Sequence, residues 1–343
     1  MLKLETISDI GELALIERIK PFCAEGVIGD DGALMSVAEG HRLVVTTDVL
    51  IETVHFSDRT TPPYTVGWRA AAANLSDLAA MGAAPLGITV GLALPGVTPW
   101  PWVEALYQGM SDCLQTYGGA IVGGDLCRAN QRTVAITALG QVHPQAAICR
   151  DRATPDMTVV VTGPHGASRA GLALLTGELA SDSWPDCPRL VEQAWVRAHQ
   201  QPVPRFDAIA RLHQLAEPSY LGDLPVAGMD SSDGLANALL QLSHSSQVGM
   251  EIERSRIPLP AGLSDTVGPE TALDWALYGG EDFELVLCLP PELARLFVQT
   301  GFATAIGTTT DTGALQLIDS EGLIDSEGRA IGKPLGHQSF QHF

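Results

Sequence analysis

Acidic residues stand where apolar segments give way to loops, and this repeated arrangement is the strongest constraint on the fold. Two adjacent carboxylates, Asp30 and Asp31, interrupt the apolar and glycine-rich run GVIGDDGALM at residues 26–35. A charge near a core is costly unless it is paired, hydrogen-bonded or bound to a metal. Lys20 is the only Lys or Arg within ten residues on either side of the pair. The local sequence therefore offers these acids little charge compensation.

Five further motifs place acidic side chains in the same way, beside Gly, Ser or Thr at the edge of an apolar segment. They are Asp48 in VVTTDVL, Asp77 in NLSDLAAMGA, Asp125 in IVGGDLC, Asp230 and Asp233 in MDSSDGL, and Glu281 and Asp282 in YGGEDFEL. Taken singly, each has a structural explanation: Asp233 suits a helix N-cap, and Asp77 suits an exposed helix face. Asp31 is better explained structurally than Asp30, because two neighbouring side chains rarely point the same way.

Taken together, the acids indicate a metal site. Several carboxylates converging on one cleft would repel one another, at about 4 kcal/mol for each pair at about 4 Å and an effective dielectric near 20. Divalent cations remove this cost, and acid clusters without His or Cys favour Mg²⁺ over zinc. The turns VGGD and YGG would let backbone N–H groups approach nucleotide phosphates. The residues alone therefore predict a Mg²⁺-dependent nucleotide enzyme in which Asp30 holds metal.

Length and charge narrow the function classes. The 343 residues are enough for two domains with their own cores, and 45% hydrophobic residues is ordinary for a globular protein. Forty acidic against 20 basic residues give a net charge of −20, which disfavours nucleic-acid binding through a broad basic surface. The N-terminal MLKLETISDIGELALIERI predicts a short amphipathic helix rather than a signal peptide. No apolar run reaches the roughly 18 residues of a membrane span, so we expect a soluble cytoplasmic protein.

Several familiar sites are missing from the sequence. There is no G-x-G-x-x-G, no P-loop motif G-x-x-x-x-G-K-[ST] and no calcium-hand spacing. There is also no C-x-x-C motif, and most of the cysteines stand in apolar stretches, so we expect reduced core thiols rather than metal ligands or disulfides. The six cysteines are Cys23, Cys113, Cys127, Cys149, Cys187 and Cys288.

Helix and strand patterns occur together in both halves of the chain. TVGWRAAAANLSDLAAMGA and WPWVEALYQGMSDCLQTYG predict helices, and HRLVVTTDVLIETVHF predicts a strand leading into a loop. Further strands are predicted for APLGITVGLALP, GAIVGGDLC, TVAITALGQV, TVVVTGP and EDFELVLCLP. The polar AICRDRATPDM breaks the pattern near residue 150. We therefore expect two α/β or α+β domains, residues 1–149 and 150–343.

Six motifs in this order resemble those of a known family. IGDDGAL, TTDVLIETVHF, NLSDLAAMGAAP, VGGD, MDSSDGL and YGGEDFEL follow one another as in the thiamine-monophosphate kinases, which belong to the superfamily typified by aminoimidazole ribonucleotide synthetase. The likeness runs from ISDIGELALIERI to the terminal FQHF, nearly the whole chain. The combination of VHF with GGEDFEL resembles the thiamine enzyme more closely than it resembles other members of the superfamily.

The resemblance implies a fold, a reaction and an assembly. The fold is a two-domain α/β (α+β) one, with an N-terminal domain that binds ATP and Mg²⁺ and pairs across a homodimer into a β-barrel. The C-terminal α/β domain completes the active site. The reaction is phosphorylation of thiamine phosphate by ATP to give thiamine diphosphate and ADP, the last step of thiamine diphosphate biosynthesis.

The resemblance also implies roles for individual residues. Metal ligands would be Asp30, Thr46, Thr47, Asp48, Asp77, Asp125, Asp230 and Asp233, which together hold several Mg²⁺ ions. Contacts to ATP would come from Gly124, Asp125, Arg150 and Ser232, with Arg152 and Ser231 as alternatives for the last two. Contacts to thiamine phosphate would come from His55, Glu281 and Phe340, although Ser339 stands where the family often has Gly.

These residue types suit transfer of a phosphoryl group to a phosphate. The acceptor oxygen is already ionised at neutral pH, so no general base is required, and we expect direct in-line transfer without a phospho-enzyme. Two alternatives stay open from the sequence. One is another ATP-dependent synthetase of the same superfamily, and the other is a catalytically silent nucleotide-binding regulator.

Overall fold

The computed structural model describes residues 4–27, 31–179, 188–216, 223–318 and 333–334. The chain divides into two compact units. The first contains Met1–Leu78, Ala83–His143 and Gln200–Pro204, and the second contains Ala79–Gly82, Pro144–His199 and Arg205–Phe343. No helix in the described ranges is both long enough and apolar enough to cross a membrane.

The first unit contains a four-stranded mixed sheet and the helices that accompany it. Its strands are β1 (Arg42–Ile51), β2 (Ala84–Leu94), β3 (Ile121–Arg128) and β4 (Thr133–Val142), in the order β1-β4-β2-β3. Only the β2–β3 pair is parallel. Its helices are α1 (Ile7–Ile10), α2 (Glu12–Ile19), α3 (Pro63–Ala80) and α4 (Trp100–Tyr117), with a short 3₁₀ turn at Lys20–Phe22. Ala79 and Ala80, at the end of α3, are counted with the second unit.

Strand alternation decides which face of this sheet the helices cover. In β4 every second residue from Val134 to Val142 is buried, and in β1 the even-numbered residues are less exposed than the odd-numbered ones. Leu78 of α3 lies against Gly140 on the even-numbered face. On the other face, Leu43, Val45 and Val49 of β1 are 50%, 55% and 44% exposed. On this face, three apolar side chains of β1 are therefore exposed, next to the polar Thr47.

The second unit is a seven-stranded sheet with helices on both faces. Its strands are β5 (Thr158–Val161), β6 (Ala227–Asp230), β7 (Gly249–Glu253), β8 (Leu285–Leu289), β9 (Thr304–Thr310), β10 (Leu315–Ile318) and β11 (Lys333–Pro334), in the order β11-β10-β7-β9-β5-β8-β6. Its helices are α5 (Ala167–Thr176), α6 (Arg189–Gln200), α7 (Phe206–Ala216), α8 (Leu235–Ser246), α9 (Leu263–Val267), α10 (Pro269–Tyr278) and α11 (Pro291–Gln299). Short 3₁₀ turns occur at Pro144–Ala146 and Arg254–Arg256.

Two apolar cores sandwich this second sheet. Residues of α8 and α10 pack with Val159 and Val161 of β5 on one face. Residues of α7 and α11 pack with Val160 of β5 on the other face. Every residue of β8 is buried, as expected for a central strand covered on both sides. The predicted mixed α/β class is confirmed by both units.

Two predicted elements differ from the structure. The expected single N-terminal helix is interrupted at Gly11, whose φ of +80° is incompatible with a continuous helix, so it becomes α1 and α2. The strand expected over EDFELVLCLP begins only at Leu285, because the preceding residues form a left-handed turn.

The cysteines in the described ranges are free thiols: Cys23, Cys113, Cys127, Cys149 and Cys288. The exposed Cys127 does not lie in the core as expected. Of these five, Cys113 and Cys288 are buried, and burial raises the pKa of the Cys288 thiol to about 12. Cys187 lies outside the described residues.

Candidate active site

Thr46 and Asp77 are in contact where β1 lies against α3, and Asp48 lies on the same face of β1 as Thr46. The Thr46 hydroxyl donates a hydrogen bond to the Asp77 carboxylate, and the Asp48 amide donates to Asn74 Oδ1 at 3.1 Å. Residues 74 and 77 lie one helical turn apart, and residues 46 and 48 share one face of a strand, so the two contacts reinforce each other. The buried Asn74 thereby holds the strand so that Thr46 and Asp48 face the helix that carries Asp77.

Thr47 and Asp125 belong to the opposite face of the same sheet. The Thr47 hydroxyl contacts the Thr137 hydroxyl at 2.8 Å. The register aligns Val49, Ala135, Gly91 and Asp125 in one row across the four strands. Because alternate residues of a strand face opposite ways, this row lies on the face that also carries Thr47. The sheet therefore divides the predicted ligands of the first unit between its two faces.

A cavity of about 430 Å³ lies along the edge strand β3 and includes Gly124 and Asp125. Asp31, the neighbour of Asp30, also lines this cavity. Position 124 requires glycine, because a Cβ there would lie 2.2 Å from the Val90 carbonyl oxygen. The remaining lining includes Ile16 and Ile19 of α2, Cys23 after the 3₁₀ turn, and Tyr107 of α4. The cavity thus has an apolar side and an acidic, glycine-lined side.

His55 is held in one tautomer just after β1. The Ile51 amide donates a hydrogen bond to His55 Nδ1 at 3.0 Å, and the His55 amide donates back to the Ile51 carbonyl at 2.9 Å. Because Nδ1 accepts, the neutral ring carries its proton on Nε2. The half-buried His55 can therefore act as a hydrogen-bond donor through Nε2.

In the second unit, residues 230–234 form the turn that joins β6 to α8. Asp230 is 3% exposed, and its carboxylate accepts a hydrogen bond from the Ser232 hydroxyl at 3.2 Å. Ser231 is 1% exposed, and its hydroxyl lies 3.0 Å from His165 Nε2. Of the two serines, Ser232 is therefore the more accessible to a ligand.

A line of hydrogen bonds runs along α8 from Asp233 to Arg150. Asn237 donates to Asp233 at 3.1 Å, Gln241 donates to Asn237 at 3.3 Å, and Arg150 donates to Gln241 at 2.6 Å. Asp233 does not act as the helix cap, because that position is Gly234 and has no side-chain cap. Arg152 is instead bound to the Ala147 carbonyl at 2.9 Å. These contacts favour Arg150 over Arg152 as the arginine that shares a surface with Asp233.

A second turn, residues 280–284, is joined to the first by two backbone hydrogen bonds. The Glu281 amide donates to the Ser232 carbonyl at 2.6 Å, and the Ser231 amide donates to the Glu284 carbonyl at 2.8 Å. We call residues 230–234 and 280–284 the paired turns. The φ angles of Gly280, Glu281 and Phe283 are +66°, +60° and +53°, which is unusual for non-glycine residues. The pairing places Ser232 and Glu281 on adjoining backbone.

Ionisable groups around the paired turns have shifted pKa values. Burial raises the pKa of Asp282 to about 7, although backbone N–H groups of residues 166 to 168 oppose the shift. Burial also raises the pKa of Glu284, against the attraction of Arg205, which donates to it at 2.6 Å. The buried His165 has its pKa lowered to about 4 by desolvation. The enclosed groups beside these turns thus shift toward their uncharged forms.

Sequence reasoning missed the supporting residues of this site. His165 and His199 contact the paired turns and Asp282 lies within the second of them, but none was predicted as a site residue. The acidic pair in YGGEDFEL was visible, whereas the partner of Asp282 lies 116 residues earlier in the sequence. Asp30 and Phe340 lie outside the described residues. Within the described ranges, no group of three or more His, Cys, Asp or Glu side chains is close enough to hold a metal.

Two family models match the chain and set its class. The model of AIR synthase related protein, N-terminal domain, matches residues 29–142, and that of AIR synthase related protein, C-terminal domain, matches residues 154–320. With the two mixed α/β units, these matches define an AIR synthase related protein. A thiamine-monophosphate kinase of Synechococcus elongatus is 46% identical over 315 residues, covering 91% of this chain and 92% of the relative. The chain belongs to the thiamine-monophosphate kinase family, and the resemblance carried by the six motifs is confirmed.

Solved structures agree with this assignment. The crystal structure of thiamine-monophosphate kinase from Stenotrophomonas maltophilia K279a has a TM-score of 0.76 at 29% identity, covering 94% of this chain and 98% of that one. A structure described as AaThiL complexed with AMPPCP and TMP has a TM-score of 0.72 at 29% identity, covering 99% of both chains.

Proposed function

We propose that this protein transfers the γ-phosphoryl group of ATP to thiamine phosphate. A bond forms between the γ-phosphorus and an oxygen of the acceptor phosphate, and the bond to the β–γ bridging oxygen breaks, which gives thiamine diphosphate and ADP. The strongest support is the 46% sequence identity, over 91% of the chain, to a thiamine-monophosphate kinase. A structural relative bound to TMP and AMPPCP, an ATP analogue, supports the same substrates.

The nucleotide is proposed to contact the residues that the family resemblance implies. Gly124 and Asp125 line the cavity beside β3, where the glycine lets a phosphate approach the backbone. Ser232 carries a hydroxyl on a turn whose backbone is fixed, and Arg150 supplies a guanidinium suited to phosphate oxygens. These are the residues expected from the sequence to contact ATP.

The donor atoms of the predicted metal ligands fit Mg²⁺, which prefers carboxylate, hydroxyl and carbonyl oxygens over nitrogen or sulfur. Thr46 and Asp77 are already in contact, and Asp48 lies on the same strand face as Thr46. We propose that metal is held by Asp30, Thr46, Thr47, Asp48, Asp77, Asp125, Asp230 and Asp233. Bound Mg²⁺ would neutralise the phosphate charges that otherwise keep donor and acceptor apart.

The acceptor is proposed to lie against His55, Glu281 and Phe340. His55 presents Nε2 as a donor, which suits a phosphate oxygen. Thiamine carries a cationic thiazolium ring, and a carboxylate such as Glu281 together with an aromatic ring such as Phe340 suits a flat cation. No side chain is needed to remove a proton, because the acceptor phosphate is ionised. We therefore expect that γ-labelled ATP leaves no label stably bound to protein.

We also propose a cytoplasmic homodimer in which the first units pair through their sheets. The support is the group of exposed apolar side chains on one face of β1, Leu43, Val45 and Val49. Apolar side chains left exposed together on one face of a sheet suit an interface better than a hydrated surface. Pairing two such faces would produce the shared β-barrel implied by the family resemblance. ATP as co-substrate supports the cytoplasm as the location.

The first test mixes purified protein, ATP, Mg²⁺ and thiamine phosphate and follows thiamine diphosphate and ADP together. We expect equimolar products that vanish when EDTA is added. Asp48→Ala should lower kcat by roughly 100-fold or more, because it removes a proposed metal ligand. Asp265→Ala removes an exposed carboxylate on α9 and should stay within about twofold of wild type. ADP formation without thiamine diphosphate would overturn the proposed acceptor and favour another synthetase of the superfamily.

A further inference from the structure

The backbone that carries Glu281 is strained and needs support from outside the turn. Three of the four residues 280–283 have positive φ, and two of them, Glu281 and Phe283, have a Cβ. Such conformations persist only where the surrounding structure holds them, and they concentrate at functional sites. The hydrogen bond from the Glu281 amide to Ser232 fixes one side of the turn.

Asp282 fixes the other side of the turn to the start of α5. One carboxylate oxygen accepts a hydrogen bond from the Gly166 amide at 2.7 Å, and the other accepts from the Ser168 amide at 2.9 Å. The amides at a helix N-terminus lack partners within the helix and carry partial positive charge, so they suit a carboxylate. Because Asp282 and Glu281 are adjacent, this anchor sets where the Glu281 side chain leaves the backbone.

His199, on α6, lies close to the Glu281 carboxylate. It is 3% exposed, and its Nδ1 lies 3.1 Å from the Ser168 hydroxyl and 3.7 Å from Glu281 Oε2. Ser168 is therefore shared: its amide binds Asp282, and its hydroxyl contacts His199. The side chain of Glu281 is itself 33% exposed, so its carboxylate combines a buried neighbour with access to solvent.

We propose that Asp282 and His199 are positioning residues that hold the Glu281 carboxylate ready for the cation of the acceptor. The proposal rests on the proposed function, in which Glu281 contacts thiamine phosphate. Asp282 acts on the backbone of the turn, and His199 acts on the carboxylate. Neither residue is assigned contact with substrate, so both act through Glu281.

The test is a double-mutant cycle on the full chain, read as KM for thiamine phosphate and as kcat. We expect Glu281→Gln to raise KM about tenfold, and His199→Ala to raise it about fivefold, with kcat within about twofold in both. The double variant should have the KM of Glu281→Gln alone, because His199 acts through that residue. Asp282→Asn keeps the shape but cannot accept both amide hydrogens, so KM should rise about tenfold.

Two further variants separate positioning from folding. His199→Asn retains a polar nitrogen near the place of Nδ1 and should recover most of the wild-type KM. Trp195→Phe changes a side chain buried one turn earlier on α6 and serves as the packing control. It should lower the melting temperature without changing KM. Melting temperatures of all variants are recorded, and KM is compared at a temperature where each is folded.

The outcomes distinguish the two proposals. Wild-type protein that makes no thiamine diphosphate overturns the proposed function, and the positioning role with it. Wild-type turnover combined with additive effects of His199→Ala and Glu281→Gln overturns the positioning role alone. A His199→Ala variant with a lower melting temperature and an unchanged KM would also overturn the positioning role alone. If Asp282→Asn does not fold, the His199 and Glu281 cycle alone decides the question.

Discussion

Asp282 and His165 have pKa shifts that act on stability in opposite directions. Asp282 has an ordinary pKa of 3.8 and a folded value of about 7, so the folded state binds more protons in that window. Its contribution is therefore present at low pH and is lost as pH rises from about 4 to 7. His165 falls from 6.5 to about 4, so its contribution is present above 6.5 and is lost as pH falls. Between about pH 4 and 6.5 the two slopes oppose each other.

Replacing either residue should reveal how the other one makes the free energy of unfolding depend on pH. We expect the free energy of unfolding of Asp282→Asn to rise with pH between about 4.5 and 6.5 relative to wild type. His165→Gln should show a relative fall over the same range. Each group can contribute at most about 1.4 kcal/mol per pH unit. Urea unfolding at several pH values measures both, and curves parallel to that of wild type would contradict the assigned shifts.

The residue scale also shows what sequence could and could not predict. Asp77 and Thr46 were both predicted as ligands, and sequence periodicity places each of them on one face of its own element. The contact of Asp282 with Gly166 depends on how α5 and β8 are placed in the second unit, which no local pattern encodes. Asp233 was open to interpretation as a cap, and only the geometry shows that Gly234 takes that position.

At the scale of elements, helices α3 and α4 cross in close contact at two glycines, Gly67 and Gly109. A Cβ on Gly67 would lie 1.9 Å from the Leu106 carbonyl oxygen, and one on Gly109 would lie 1.8 Å from the Tyr64 carbonyl oxygen. The helix backbones therefore approach more closely than any side chain allows. Since α3 carries Asn74 and Asp77, this close crossing fixes the helix that faces β1.

Gly109→Ala should destabilise the protein although alanine is the better helix former. The intrinsic preference favours alanine by about 1 kcal/mol, but overpacking at this crossing should cost about 3 kcal/mol. We expect a net loss of about 2 kcal/mol in urea unfolding. Glu104→Ala changes an exposed position of the same helix and should stay within about 0.5 kcal/mol. A stabilised Gly109→Ala variant would show that the helices can separate at no cost.

Long apolar periodicities made most elements predictable, and special backbone conformations made the rest unpredictable. The patterns for α3, α4 and β1 to β4 correspond to elements of the structure. In EDFELVLCLP the apolar alternation starts one turn too early, because Phe283 belongs to a left-handed turn although it is apolar and buried. Burial of an apolar residue is thus no proof that it lies in a strand.

At the scale of the whole molecule, the face of β1 that exposes Leu43, Val45 and Val49 determines the expected assembly. We expect Val45→Asp to convert the proposed dimer to a monomer, because it places a charge in an apolar interface. Val97→Asp changes a valine that is 79% exposed and lies between β2 and α4, and it should remain dimeric. Size-exclusion chromatography with light scattering measures the masses. A dimeric Val45→Asp, or a monomeric wild type, would contradict pairing through this face.

The backbone pairing of the two turns also bears on how such an enzyme can diverge. Amide and carbonyl groups are common to nearly all residues, so the bonds joining Ser232 to Glu281 and Ser231 to Glu284 survive most side-chain replacements. Lineages can therefore exchange the chemistry displayed on the turns while inheriting the same frame. The φ of +60° at position 281 limits the exchange, since Asn, Asp and Gly adopt it most readily. A change of acceptor preference at position 281 would therefore draw on the few residue types that adopt this φ.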